Sequence, residues 1–186
     1  MQKTKFYTGV GDGGRSKIGH KSLSKDSPAF WVLGNLDELN SWIGFCKSAV
    51  DPLSEIKEVS ALLKEIQESL FIIQAEIAAA ASEVQSSIAI GQDKIEHMEQ
   101  EISKIDSILP PITKFIIAGG SEASARLDVA RTIARRVERA TKEYSYNNQV
   151  KSEILQYMNR LSSFLFALAR FVNYKLDIKE ENPSYK

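Results

Sequence analysis

The chain has 186 residues and carries 24 basic and 24 acidic side chains, so its formal net charge at pH 7 is zero. Its hydrophobic content of 43% excludes an intrinsically disordered protein, and the charge balance excludes a strongly basic nucleic-acid-binding protein. The single cysteine, Cys46, excludes an internal disulfide and a multi-cysteine zinc site, so we expect a reducing, cytoplasmic location. We expect neither a signal peptide nor a membrane span, because no apolar stretch is long enough.

Residues 1–34 are rich in Gly, Ser and Lys and follow no sustained period, so we expect an extended N-terminal arm. Within the arm, the segment TGVGDGGRS at 8–16 matches the dinucleotide-binding pattern G-x-G-x-x-G and, with Arg for Lys, the P-loop pattern. Either mechanism needs a buried strand before the loop and a helix after it, which this sequence does not offer. Successive glycines can nevertheless direct backbone N–H groups at phosphate oxygens; the alternative interpretation is a flexible tail.

Five segments with helical periodicity follow the arm, and Pro52 and Pro110 are among the residues that separate them. Their apolar positions recur every three or four residues: Leu36, Leu39, Ile43, Cys46 and Val50; Val59, Leu63, Ile66, Leu70, Ile73, Ile77, Ala80 and Val84; Ile95, Met98, Ile102, Ile105 and Leu109; Leu127, Ala130, Ala134, Val137 and Thr141; Ile154, Met158, Leu161, Leu165, Leu168 and Val172. No segment indicates a convincing strand. The pattern predicts an all-α fold, an antiparallel five-helix bundle over residues 35–178, followed by a flexible polar tail at 179–186.

Charge is unevenly distributed along the chain. Residues 1–30 and 114–142 each have a net charge of +4, whereas residues 51–109 have a net charge of −8. The two basic regions could converge on one anion. A small phosphorylated ligand fits this pattern better than nucleic acid, because the positive charge is local and no basic stripe with interleaved aromatic residues accompanies it.

The fourth helix carries polar side chains beside its row of recurring apolar positions, which we call the apolar seam of a helix. Arg131, Arg135 and Glu138 share one flank at helical spacing, and Arg139 lies next to them. Two guanidinium groups one turn apart can hold a triphosphate through forked hydrogen bonds, and a carboxylate can orient one of them or accept from a ribose hydroxyl. The alternative is an exposed helix face with ion pairs.

Polar side chains also lie beside the seams of the first and last helices. They are Asp37 and Asn40 in the first helix, and Asn159, Ser163 and Arg170, with Phe166, in the last. Polar groups next to a bundle seam need partners. The sequence leaves open whether those partners are other helices, a neighbouring subunit or a ligand.

Five blocks of sequence, taken together and in this order, resemble one known family. They are YTGVGDGG near the start, LDELNSWIG at 36–44, FIIAGGS at 115–121, ARTIARRVER at 130–139 and NRLSSFLFALARFVNY at 159–174. The resemblance is to the PduO-type ATP:cob(I)alamin adenosyltransferases and extends from residue 5 to residue 175. The motifs A-R-T-x-x-R-R-x-E-R and N-R-L-S are more specific than the glycine loop.

The resemblance implies a homotrimer of five-helix bundles with each active site between neighbouring subunits. It implies transfer of the 5′-deoxyadenosyl group of ATP to Co(I) of cobalamin, with release of triphosphate. Mg²⁺ would assist, bound mainly through the ATP phosphates rather than by a protein metal cluster. A flavoprotein reductase would supply electrons, and an adenosylcobalamin-dependent enzyme would be a product acceptor. The alternative function is a non-catalytic protein that binds, delivers or senses ATP or adenosylcobalamin; a purely structural bundle is a third interpretation.

The resemblance also assigns roles to residues, position by position. The ATP-binding residues would be Thr8, Gly9, Val10, Gly11, Ser16, Lys17, Lys25, Arg135, Arg136, Glu138, Arg139 and Asn159. Of these, Arg135, Glu138 and Asn159 would form the catalytic group. Cobalamin would contact Asp37, Arg131, Phe115 and Phe166, with Asp37 and Arg131 paired near the corrin and Phe115 crowding its lower face to displace the axial base.

The sequence departs from the family pattern at three positions. Gly13 stands where Lys is usual, Ala118 where Pro is usual, and Ser163 where Asp is usual. Loss of the lysine would lower ATP affinity, and loss of the carboxylate would alter corrin binding or subunit packing.

Overall fold

The computed structural model describes residues 6–7 and 9–185, and five long helices account for most of them. The helices are α1 (Pro28–Val50), α2 (Lys57–Ala81), α3 (Gln92–Ile108), α4 (Glu122–Ser145) and α5 (Ser152–Lys175), with a 3-10 turn at Ser54–Ile56 before α2. The predicted all-α bundle is therefore confirmed. None of the helices in the described part of the chain is long and apolar enough to cross a membrane.

The predicted apolar seams form the core of the bundle. Nearly all their members are at most 9% exposed, and Leu36, Leu63, Leu127 and Leu165 are completely buried. One position is wrong: Val84 lies beyond the end of α2 and is half-exposed, because the helix ends at Ala81. In the described residues, α4 packs against α1 and α5, while α2 packs against α1 and α3 packs against α5.

Ion pairs and hydrogen bonds show how the helices run. Arg126 of α4 donates to the Phe45 carbonyl of α1 at 2.7 Å, and Arg136, farther along α4, pairs with Glu38, nearer the start of α1. Helix α4 is therefore antiparallel to α1. Ser121 caps α4, since its hydroxyl accepts from the Ser124 N–H at 3.1 Å.

The expectation that the arm contains no strand is wrong. Strands β1 (Arg15–Ile18) and β2 (Lys21–Ser24) form an antiparallel hairpin in which Arg15 is paired with Ser24. Gly19 adopts a φ of +57° in the two-residue turn, a conformation that costs glycine little. Each strand has only four residues, too few for an alternating pattern to stand out in the sequence.

The first helix begins at Pro28, earlier than the predicted start of the bundle at residue 35. Proline is well accommodated in the first helical turn, where its missing N–H has no partner within the helix. Ala29 and Val32 in this extra length are buried and extend the apolar seam.

Candidate active site

A cavity of about 680 Å³ lies between α4, α5 and the connector, which we define as residues 109–121. Four of the predicted site residues line it: Phe115, Arg131, Arg135 and Phe166. Ser162 and Ser163 of α5 and connector residues 112–116 complete its wall. Thus the structure brings the predicted cobalamin residues of the connector, α4 and α5 together with one predicted ATP-binding arginine.

Arg131 is held in a fixed orientation at this cavity. Its Nε donates to Asp128 Oδ1 at 3.3 Å, and Asp128 Oδ2 accepts the Gly119 N–H at 3.0 Å. The Arg131 guanidinium carbon lies 5.8 Å from the centre of the Phe166 ring. One carboxylate therefore links the start of α4, the connector and the arginine.

Within one subunit Arg131 and Asp37 are not paired among the described residues, so their pairing near the corrin stays a prediction for two neighbouring copies. In the described residues the ion-pair partner of Arg131 is Asp128, three residues before it on the same helix. Asp37 is exposed on α1 and makes no ion pair or hydrogen bond there. Its carboxylate remains available to a ligand or to a neighbouring molecule.

The remaining polar residues of α4 differ in whether their charges are already neutralised. In the described part of the chain Arg135 and Arg139 are exposed and have no hydrogen-bond or ion-pair partner. By contrast, Arg136 pairs with Glu38 of α1. Two free guanidinium groups four residues apart on one helix face can bind an anion.

Glu138 and Asn159, two of the residues predicted to act together, are hydrogen-bonded to each other. Asn159 Nδ2 donates to Glu138 Oε1 at 2.9 Å, linking α5 to α4. Asn159 Oδ1 in turn accepts from Arg160 at 2.7 Å, and Arg160 Nε contacts Glu99 Oε1 at 2.8 Å. This network holds the Glu138 carboxylate on the same helix as Arg135 and Arg139, the two arginines without partners in the described part of the chain.

The glycine loop forms two turns before β1. The N–H of Asp12 donates to the Gly9 carbonyl and that of Gly14 to the Gly11 carbonyl, each at 3.2 Å. A Cβ at Gly11 would lie 2.9 Å from Lys25 Nζ, so this ammonium group lies against the loop backbone. Of the other predicted ATP residues, Val10 and Lys17 are exposed and Ser16 is half-buried. Thr8 lies outside the described residues.

The hairpin is anchored to the end of α2. The Ser82 hydroxyl lies 2.8 Å from the Ile18 carbonyl, and Lys21 Nζ pairs with Glu83 at 2.6 Å. The hydrogen bond and charge of Lys21 lower the pKa of the Glu83 carboxyl below its usual value. No ion pair of the described residues joins the hairpin to α4 or α5. Among the described residues, the predicted ATP residues therefore belong to two groups that no ion pair links within one chain.

A comparison with known families explains this set of residues. The family model for cobalamin adenosyltransferases matches residues 6–172. The chain belongs to the cobalamin adenosyltransferase family. It is 32% identical to a corrinoid adenosyltransferase of Bacillus subtilis over 94% of this chain and 89% of that protein. It is 36% identical to the corrinoid adenosyltransferase PduO of Citrobacter freundii over 89% of this chain but only 49% of that longer protein.

A solved structure supports the same family. A variant of a PduO-type ATP:corrinoid adenosyltransferase from Lactobacillus reuteri, complexed with cobalamin and ATP, aligns with a TM-score of 0.89. It is 33% identical to this chain, and the alignment covers 97% of each chain. The resemblance to PduO-type enzymes that the sequence motifs indicated is thereby confirmed.

For this member of the cobalamin adenosyltransferase family, the sequence motifs missed two residues that organise the site. Asp128 orients Arg131, as described above. Asn173 Nδ2 donates to the Gly119 carbonyl at 2.7 Å, and its Oδ1 accepts from the Ser121 N–H at 3.1 Å. Both are polar residues that are at most 9% exposed on otherwise apolar helix faces, a signal that could have singled them out.

Proposed function

We propose that this protein transfers the 5′-deoxyadenosyl group of ATP to the cobalt of reduced cobalamin and releases triphosphate. The observation that carries the proposal is the cavity lined by Phe115, Phe166, Arg131 and Arg135, the last of which has no ion-pair partner among the described residues. Its aromatic side chains suit a corrin, and its free cation suits a phosphate chain. Family membership supports the same assignment.

The reaction needs no nucleophile from the protein. The electron pair of Co(I) attacks C5′ of ATP, the cobalt–carbon bond forms, and the C5′–O5′ bond breaks as triphosphate leaves. Arg135 and Arg139 would stabilise the charge that develops on the triphosphate, while Glu138 and Asn159 would orient the nucleotide. Cys46, the single thiol, is completely buried and takes no part.

The aromatic residues would control the coordination of cobalt. Phe115 is 79% exposed on the connector, where it can press against one face of a flat macrocycle. Crowding of that face would displace the axial base, and an apolar ring would exclude water as a substitute ligand. Loss of the axial donor makes Co(II) easier to reduce to the reactive Co(I) state.

The division of the predicted ATP residues supports active sites between subunits, as in the homotrimer that the resemblance implies. Arg135 and Arg139 lie on α4, whereas Lys25 and the glycine loop belong to the hairpin attached at the end of α2. A site between two subunits would combine the loop of one copy with the arginines of the next. Asp37 of one copy could likewise pair with Arg131 of its neighbour.

Mg²⁺, a reductant and a product acceptor complete the proposal. Mg²⁺ would be bound mainly by the ATP phosphates, which supply the oxygen ligands that this ion prefers. There it would neutralise part of the triphosphate charge. A flavoprotein reductase would supply electrons, an adenosylcobalamin-dependent enzyme would accept the product, and the reducing cytoplasm would be the location.

An anaerobic assay with ATP, Mg²⁺ and chemically reduced cobalamin tests this function. We expect the cob(I)alamin spectrum to convert to that of light-sensitive adenosylcobalamin, with release of triphosphate. Binding of ATP and cobalamin without conversion would contradict catalysis and favour the alternative, a protein that delivers or senses these ligands. That alternative is worth testing because Gly13 and Ser163 depart from the family pattern at positions that the resemblance connects with ATP and corrin binding.

A further inference from the structure

The connector that carries Phe115 is attached to the bundle at both of its ends. Near its start, Arg170 Nη2 of α5 donates to the Pro110 carbonyl at 2.9 Å. Near its end, Gly119 is held by Asn173 and Asp128 through the hydrogen bonds described above. These bonds leave the stretch from residue 111 to residue 118 as an irregular span between two fixed points.

The middle of this span is held by the tail that the sequence predicted to be flexible. Asn182 Nδ2 donates to the Phe115 carbonyl at 2.8 Å, and the Ile117 N–H donates to the Glu181 carbonyl at 2.8 Å. Across residues 111–118 no other hydrogen bond occurs within the described chain. Since the Phe115 side chain is largely exposed, its position depends on its backbone, and the tail holds that backbone.

The tail is itself fixed by a partly buried ion pair. Glu180 accepts from Arg170 Nε at 2.7 Å and from Nη2 at 3.1 Å, a forked and charge-assisted arrangement. The Arg170 side chain is 6% exposed and that of Glu180 is 27% exposed. The same guanidinium therefore binds the start of the connector and the start of the tail segment that crosses it.

We propose that residues 180–182 act as a strap that fixes Phe115 at the cobalamin site, with Arg170, Glu180 and Asn182 as positioning residues. This inference rests on the function proposed above, since it assigns Phe115 to the corrin. Without the strap, the connector would sample other positions, and the ordering of Phe115 would oppose cobalamin binding. ATP binding would be unaffected, because no strap residue belongs to the predicted ATP-binding groups.

Two truncations of the full chain test the strap. One ends at Lys179 and removes it; the matched control ends at Asn182 and keeps every strap contact. Hydrogen exchange of the peptide that spans residues 110–121 should accelerate only in the shorter protein, where the Ile117 amide loses its acceptor. That readout requires no ligand and no activity.

Binding and spectra connect the strap to cobalamin. We expect the shorter protein to bind cob(II)alamin about three- to tenfold more weakly, a range that corresponds to the two hydrogen bonds lost between the tail and the connector, with an unchanged KM for ATP. The fraction of bound cob(II)alamin without its axial base should fall in the absorption spectrum. Asn182→Ala, which removes the amide donor without adding a charge, should shift these values in the same direction without removing the Arg170–Glu180 pair.

The outcomes separate the strap from the proposed function. Equal exchange and equal cob(II)alamin affinity in the two truncations would overturn the strap. A loss of ATP affinity in the shorter protein but not in the control would also overturn the strap, because such a loss would indicate general destabilisation. If the wild-type protein made no adenosylcobalamin, the catalytic proposal would fail. Hydrogen exchange of the connector and cob(II)alamin binding would still test the strap.

Discussion

Arg135 and Arg136 are adjacent in sequence but have different surroundings. Arg136 pairs with Glu38 and joins α4 to α1, whereas Arg135 lines the cavity with no partner among the described residues. An unpaired guanidinium at a cavity keeps its full charge for an anionic ligand, while a paired one must first give up its carboxylate. Arg135 is therefore the arginine whose removal tests the chemistry most directly.

We predict that Arg135→Ala lowers kcat/KM by about 10²- to 10³-fold, as for the loss of one group that stabilises transition-state charge. The anaerobic adenosylation assay measures this change. The fold should remain intact, because the side chain is exposed and has no hydrogen-bond or ion-pair partner among the described residues. Lys142→Ala, which removes an exposed cation from the same helix outside the cavity, is the matched control and should retain activity. A fully active Arg135→Ala protein would count against the proposed function.

Cys46 offers a second test at the scale of one residue. It is completely buried in the α1 seam, and burial raises the pKa of its thiol to about 12. The thiolate is the reactive form, so the native protein should not react with a thiol reagent at pH 8. We expect full labelling only across the denaturant range in which circular dichroism reports unfolding. Rapid labelling of the native protein would show that α1 opens locally.

At the level of secondary structure, the regular elements were predictable and the irregular ones were not. The seam of α2 includes Leu63, Ile66, Leu70 and Ile73, which are spaced three or four residues apart. This repeated spacing predicts both the helix and the face that it buries. The hairpin has no repeating apolar pattern, because Ile18 is its only residue that is at most 9% exposed. Its position depends on Ser82, a contact across 64 residues that no local pattern encodes.

The attachment of the hairpin should depend on pH through Glu83. The pKa of the Glu83 carboxyl in the folded protein lies below its usual value of 4.5. Its interaction with Lys21 therefore stabilises the fold fully above pH 4.5, and this stabilisation is lost as the pH falls through the folded-state pKa. We predict that Glu83→Gln lowers the melting temperature at pH 7 and that the difference from wild type disappears on acidification below the folded pKa.

The control for this prediction is Glu68→Gln. Glu68 lies 3.8 Å from Lys64 on the exposed face of α2, a longer contact than the 2.6 Å pair of Glu83 and Lys21. Its substitution should change the melting temperature less at pH 7. A difference for Glu83→Gln that stayed constant down to pH 2 would exclude its carboxylate as the source.

For the whole molecule, the sequence motifs identified many residues of the candidate site but not their arrangement. Phe115, Arg131 and Phe166 lie around one cavity, as the motifs implied. The ion pairs within one subunit were less predictable, because any of several carboxylates could reach an arginine: among the described residues Arg131 pairs with Asp128. The geometry between subunits is likewise absent from the pattern of one chain, since an apolar seam shows that helices pack but not how many copies meet.

A shared site between subunits predicts complementation between two inactive proteins. The first carries Lys17→Ala and Lys25→Ala in the hairpin, and the second carries Arg135→Ala in α4. After the two are refolded together in equal amounts, a site is intact when its hairpin comes from the second protein and its α4 from the first. Random assembly gives this combination at about one site in four, so activity should return to about a quarter of wild type.

The control mixture combines Arg135→Ala with Arg139→Ala, two changes in the same helix. No arrangement of these subunits supplies an intact α4, so the mixture should give no activity beyond that of its separate components. Complementation only in the first mixture would require that the hairpin and α4 of one site come from different copies. If the hairpin and arginines of one chain served the same site, neither mixture could recover activity, and the intersubunit arrangement would be wrong.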